Sequence, residues 1–121
     1  MKEINEKTKR LRYVRLLEKF LTRTVAICKN DDLPFYNFIE NINRYYEDIK
    51  KVEAIRLDSE YYNKVEAFVN LTLSKIDTIE HTEYQALKEL LLKEANLLHK
   101  EKNRSNYKKD KHRQKSFNDG Y

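Results

Sequence analysis

The sequence predicts an all-α protein: an up-down-up-down four-helix bundle followed by a disordered basic C-terminal tail. Apolar residues repeat at helical spacing over four separate stretches. The connections between them are about two to five residues long, which leaves no room for a crossover and favours antiparallel neighbours. The single glycine, Gly120, and single proline, Pro34, leave little material for β-hairpin turns. If the segment 58–60 only bends a continuous helix, the alternative is three helices with one long member.

The first helix is predicted over about residues 3–28, with one apolar and one basic face. Its apolar residues fall on one arc, which comprises Val14, Leu17, Leu21, Val25 and Cys28. The arc is widened on one side by Tyr13, Leu16, Phe20 and Ile27. The basic stripe lies nearly opposite this arc and comprises Arg12, Arg15, Lys19 and Arg23. We therefore expect one face of this helix in the core and the other in solvent.

The second helix is predicted to begin with Asp32 as its N-cap and Pro34 in its first turn, where no amide donor is needed. Its apolar spacing continues to about residue 56. Asp58 offers the next cap, and a third helix is predicted from there to about residue 79. The core residues expected from these two helices are Phe35, Phe38, Ile39, Ile42, Tyr46, Ile49, Val52, Tyr62, Val65, Phe68, Val69, Leu73, Ile76 and Ile79.

The fourth helix is predicted to start at a capping box formed by Thr82 and Gln85 and to end near residue 103. Leu92 lies off its main apolar face, which comprises Tyr84, Leu87, Leu90, Leu91, Ala95, Leu97 and Leu98. Beyond that point the apolar periodicity stops and charge dominates. The predicted organisation is a helical domain over residues 1–103 and a flexible basic tail over 104–121.

Positive charge is concentrated at the two ends of the chain. Residues 1–99 contain 17 Lys and Arg against 17 Asp and Glu, whereas residues 100–121 contain 8 against 3. In an even-numbered bundle the tail would emerge at the same end as residues 7–12, so the two basic regions are expected to converge. The candidate binding residues are Arg12, Arg15, Lys19, Arg23, Lys100, Lys102, Arg104, Lys108, Lys109, Lys111, Arg113 and Lys115.

This charge pattern favours a non-enzymatic binding module that contacts the phosphates of nucleic acid without reading its sequence. The expected partner is nucleic acid or an acidic protein surface. The alternative is a protein–protein adaptor, assembly subunit or inhibitor, of the kind found in mobile elements and ribonucleoprotein complexes, acting through its helix faces. A homo-oligomer or a place in a larger complex fits either hypothesis.

No pattern of catalytic, cofactor-binding or metal-ligating residues is visible. The histidines His81, His99 and His112 share no helix face with a second ligand, so no metal site is predicted. Cys28 lies on the apolar arc, which is typical of a buried thiol and not of a nucleophile. The lone cysteine, the missing secretory signal pattern and the absence of any apolar run of about 20 residues predict a cytoplasmic protein outside the membrane.

The tyrosines admit two interpretations. Beside arginines they could stack on nucleobases, as aromatic side chains do in proteins that bind single strands. In a bundle without tryptophan, tyrosines at helical spacing more often line the edge of the core with the hydroxyl in water. We therefore expect most of them to pack.

Overall fold

The computed structural model describes residues 5–104, with only the backbone of Arg104, and this part of the chain contains four α-helices and no strand. The helices are α1 (Glu6–Cys28), α2 (Phe35–Lys50), α3 (Glu60–Thr78) and α4 (Tyr84–Arg104), with a short 3-10 turn, His81–Glu83, before α4. The predicted four-helix bundle is confirmed. The alternative with one long bent helix is wrong, because nine non-helical residues separate α2 from α3.

The start of α1 is fixed by a side-chain cap. Asn5 precedes the helix, and its Oδ1 atom accepts a hydrogen bond of 2.8 Å from the amide of Thr8. The helix therefore begins at Glu6, three residues later than predicted. At the other end, the amide of Lys29 still bonds to the carbonyl of Val25, which closes the last turn at Cys28.

The predicted cap and end of α2 are both wrong. Asp32 lies in the preceding turn, where its own amide donates to Asn30 Oδ1, and the residue at the cap position is Pro34 with an extended backbone. The helix ends at Lys50 and not near residue 56. The prediction extended the helix because apolar residues continue beyond Lys50. In the structure one of them, Leu57, enters the core from an irregular segment instead of from a helix.

Ser59, and not Asp58, caps α3. Its Oγ atom accepts a hydrogen bond from the amide of Tyr62, and its side chain is buried. The side chain of Asn63 donates to the carbonyls of Leu57 and Ser59, which fixes the end of the connection. These bonds satisfy the amide of Tyr62 and the carbonyls of Leu57 and Ser59 at the break before α3.

The predicted capping box before α4 is also displaced. The observed box joins Glu80 and Glu83, with the Glu80 amide donating to Glu83 Oε1 over 3.0 Å, and not Thr82 and Gln85. Glutamate is an unusual N-cap residue. The capping-box pattern expects serine or threonine at that position, and it therefore indicated Thr82 instead of Glu80. The 3-10 turn then leads into α4 at Tyr84.

The helices form one bundle in which α1 packs against the other three. The helices α3 and α4 run in opposite directions, because the first part of α3 lies beside the last part of α4. The segment that follows α2 lies beside the first part of α1. At the opposite end, the hydroxyl of Tyr84 donates to the carbonyl of Leu33, and its ring contacts the edges of Phe35 and Phe38.

The core is confirmed in outline, but the buried side of α1 is rotated from the predicted arc. Thr24 is completely buried, whereas Leu21 and Val25 are only half-buried. Contact with three helices shifts the centre of the buried side toward Phe20 and Thr24. In α4, Leu92 packs against the core although it was placed off the apolar face, and Leu97 is half-exposed although it was placed on it.

Candidate nucleic-acid interface

A continuous strip of exposed residues runs along the side of α1 that faces away from the bundle. Its members are spaced by three or four, so they stand above one another on one helix face. We call this strip the outer face of α1, and it comprises Thr8, Arg12, Arg15, Lys19, Thr22 and Ala26, all exposed. The outer face therefore carries three cations and no acidic residue.

None of the three cations on the outer face forms an ion pair with another residue in the described range 5–103. The two acids of α1 lie elsewhere. Glu6 belongs to the first turn, and the carboxylate of Glu18 accepts a hydrogen bond of 2.5 Å from the hydroxyl of Tyr62 in α3. The positive charge of the outer face is thus not neutralised from within its own helix.

Arg23, the fourth residue of the predicted basic stripe, lies at the boundary between α1 and α2. Its guanidinium is 3.6 Å from the carboxylate of Asp48 and 5.3 Å from the ring centre of Tyr45. Arg23 therefore holds α2 against α1, and it borders the outer face instead of belonging to it.

Lys102 faces α1 across a groove of about 670 Å³ between α1 and α4, which Glu18 and Thr22 also line. The end of α4 therefore lies across from the middle of α1. The last described turn of α4 lies beside Glu18 and Thr22, and not beside residues 7–12 as predicted. Lys100 is exposed, and at two residues' distance from Lys102 it points to a different side of α4.

The remaining predicted binding residues cannot be placed. The side chain of Arg104 and the residues Lys108, Lys109, Lys111, Arg113 and Lys115 lie outside the part of the chain that the structure describes. Within that part, the structure brings Arg12, Arg15 and Lys19 together on one face.

Tyrosine–carboxylate hydrogen bonds between α1 and α3 position the outer face. Tyr13 donates to Glu66, and Tyr62 donates to Glu18. Burial, together with the hydrogen bond to Glu66, raises the pKa of Tyr13, so this hydroxyl stays protonated. Most tyrosines of the helices are packed as expected, but the hydroxyls of Tyr13, Tyr62 and Tyr84 bond to protein groups, which was not expected. Tyr36 on α2 is 74% exposed.

Cys28 is a buried free thiol. Burial raises its pKa to about 12, although the nearby ammonium group of Lys88 acts in the opposite direction. In the described range no three residues among His, Cys, Asp and Glu lie close enough to hold a metal ion. Within that same range, none of the helices is long and apolar enough to cross a membrane.

Sequence reasoning missed the burial of Lys88. This side chain is 3% exposed, and its Nζ atom lies 4.6 Å from the centre of the Tyr84 ring, one helical turn away. Burial removes the water that stabilises a cation. The negative face of an aromatic ring attracts the cation and replaces part of that stabilisation. The four-residue spacing of Tyr84 and Lys88 was the available signal, because it places the lysine on the same helix face as the aromatic ring.

Comparisons of the chain with protein-family models, curated proteins and solved structures find no match.

Proposed function

We propose that the protein is a non-enzymatic binding module that contacts nucleic-acid phosphates through the outer face of α1. The observation that carries this proposal is the set of three neighbouring cations, Arg12, Arg15 and Lys19, with no acidic residue on the same face. The basic composition of residues 100–121 supports the same class of partner, because it adds cations to the chain that follows α4.

The arrangement of the three cations costs the folded protein stability. Arg12 and Arg15 are three residues apart, and Arg15 and Lys19 are four apart, so each pair places like charges on neighbouring positions. Such pairs destabilise a helix by about 0.2–0.5 kcal/mol each. Phosphates bound to the outer face would replace this repulsion with attraction.

The chemistry of the outer face suits phosphate groups. Two guanidinium groups can each donate two hydrogen bonds to one phosphate, and the other members of the face are Lys19, two threonines and an alanine. Affinity would then come from phosphate contacts and the release of counterions, and it would fall steeply with salt.

A fluorescence anisotropy titration of a labelled oligonucleotide tests the proposal. The variant Arg12→Gln/Arg15→Gln/Lys19→Gln removes the cations of the outer face. The matched control, Lys9→Gln/Lys50→Gln/Lys51→Gln, removes the same charge from lysines that already pair with acids. We expect the first variant to lose at least about tenfold in affinity and the control less than about threefold.

Equal losses in the two variants would show that affinity follows net charge and not the outer face. If the wild-type protein fails to bind at ~50 mM salt, where phosphate contacts are strong, the proposal is wrong. An acidic protein surface would then be the partner to test. Circular dichroism of all three proteins establishes that they are equally folded.

A further inference from the structure

The groove between α1 and α4 adjoins the outer face of α1. Its volume of about 670 Å³ lies within the range of about 300–1,000 Å³ that is typical of small-molecule sites. We call it the α1–α4 groove. Thr22 belongs to both surfaces, because it lines the groove and is a member of the outer face. Lys19 and Arg15 precede Thr22 on that face, at about 4.5 and about 10.5 Å along the helix axis.

The walls of the α1–α4 groove are partly apolar. Leu21 and Val25 on α1 and Ala95 on α4 line it, and all three are only half-buried. Aliphatic surface from both helices is therefore in contact with water here. A flat apolar group held between the two helices would remove that surface from water.

Three exposed polar side chains also line the α1–α4 groove. Thr22 on α1 supplies a hydroxyl, and Asn96 and His99 on α4 supply an amide and an imidazole. None of the three side chains forms a hydrogen bond with another residue of the described chain. Each can offer both a donor and an acceptor, since a neutral imidazole has one nitrogen of each kind. This set matches the mixed donors and acceptors on the edge of a nucleobase.

The charges around the α1–α4 groove favour a base inside it and phosphates beside it. Lys19 lies on the α1 side, and Lys102 lines the groove on α4. A strand that contacts both lysines has to cross the groove. Glu18 also lines it, and the negative charge of this side chain disfavours a phosphate inside the groove but not a neutral base.

We propose that the α1–α4 groove holds an unpaired base of a single-stranded nucleic acid whose phosphates contact the outer face of α1. This inference rests on the proposed function and specifies its ligand. A base in a duplex is stacked and paired, so it can enter the groove only after it has been flipped out at a cost in free energy. The protein should therefore select single strands over duplexes.

Three labelled ligands test the base site in fluorescence anisotropy titrations at ~50 mM salt. They are a DNA strand of mixed sequence, the same strand annealed to its complement, and a strand of equal length in which stable abasic spacers replace all nucleotides. We expect the natural strand to bind at least about tenfold more tightly than either of the others. Phosphate contacts alone predict no such preference over the duplex, which carries one charge per about 1.7 Å against about 3.4 Å for one strand.

Two variants test the groove itself. Asn96→Ala/His99→Ala removes two exposed polar groups and should weaken binding of the natural strand at least about fivefold. Ala95→Phe fills the groove and should have a similar effect. Its matched control is Ala86→Phe, which adds the same ring to an exposed position of α4 outside the groove and should leave the affinity unchanged.

Binding of the abasic strand and the duplex should be the same in wild type and in all three variants, which shows that the fold and the phosphate contacts are intact. Equal affinity of wild type for the natural and abasic strands overturns the base site and leaves the phosphate contact of α1 standing. A wild-type protein that binds none of the three ligands overturns both proposals. Unchanged affinity of Asn96→Ala/His99→Ala for the natural strand also overturns the assignment, because the base then lies elsewhere.

Discussion

At the residue scale, two buried threonines differ in one respect. Thr24 on α1 and Thr72 on α3 are both completely buried. The hydroxyl of Thr72 donates to the carbonyl of Phe68 over 2.8 Å, whereas that of Thr24 has no hydrogen-bond partner within the described chain. A buried hydroxyl without a partner costs about 1–3 kcal/mol, so Thr24 should weaken the fold where Thr72 does not.

Thr24→Val is therefore expected to raise the free energy of unfolding by about 1 kcal/mol, because valine keeps the shape and removes the unpaired hydroxyl. Thr72→Val is the matched control and should be neutral or destabilising, because it gives up a hydrogen bond. Urea denaturation of the three proteins measures both changes. A Thr24→Val protein that is less stable than the Thr72→Val protein would show that the Thr24 hydroxyl is satisfied in solution.

Cys28 should make the protein sensitive to alkaline pH. Its folded-state pKa is raised to about 12, above the value of about 8.5 for a free thiol, so the unfolded chain loses its proton first as pH rises. Stability is fully present below about pH 8.5 and declines from there toward pH 12. Burial also raises the pKa values of Tyr13 and Tyr84, which act in the same direction.

The measurement is the change in unfolding free energy between pH 8 and about pH 10.5, in wild type and in Cys28→Ala. We expect the loss to be smaller in Cys28→Ala by about 2–3 kcal/mol, with the tyrosines supplying the remainder. The substitution also leaves a small cavity that lowers stability. This cost is the same at both pH values, so it cancels when the changes with pH are compared. Equal losses would mean that the thiol ionises as easily in the folded protein as in the unfolded chain.

At the element scale, periodicity located all four helices and, to within about one residue, the ends of α1, α3 and α4, but it misplaced the caps and the end of α2. Apolar residues spaced by three and four mark the buried face of a helix, and each of the four helices has this spacing. The caps depend on single hydrogen bonds, and neighbouring residues such as Asp58 and Ser59 are equally suitable by type. The end of α2 was missed for a different reason: an irregular segment can bury Leu57 as well as a helix can.

The rotated core side of α1 gives a prediction at this scale. Leu91 on α4 is 1% exposed, whereas Leu21 on α1 is half-buried beside the groove between α1 and α4. Leu91→Asp should abolish cooperative folding, because a buried charge costs several kcal/mol. Leu21→Asp should keep its helicity and melt at a lower temperature, because the carboxylate can reach water through the groove.

Circular dichroism melting curves of the two aspartate variants distinguish the observed core from the arc predicted by sequence. That arc was centred near Leu21 and implies that both changes prevent folding. An unfolded Leu21→Asp protein would therefore favour the predicted arc over the observed one.

At the scale of the whole molecule, the candidate site was partly predictable. Arg12, Arg15 and Lys19 could be assigned to a solvent face because helical spacing places them opposite the apolar residues. The role of Arg23 could not, because its partners Asp48 and Tyr45 come from another helix and only the packed bundle brings them close. The position of the last turn of α4 across from the middle of α1 was also beyond the sequence, since the offset between two helices is set by packing.

The salt dependence of binding tests the central claim most directly. For phosphate contacts, the logarithm of the binding constant falls linearly with the logarithm of the salt concentration, with a slope of about −0.7 to −0.9 per contact. Anisotropy titrations at several salt concentrations give this slope for wild type and for Arg12→Gln/Arg15→Gln/Lys19→Gln. If each of the three cations contacts one phosphate, the slope of the variant should be smaller in magnitude by about 2 to 3. An unchanged slope would contradict phosphate binding by the outer face of α1, whatever the affinity.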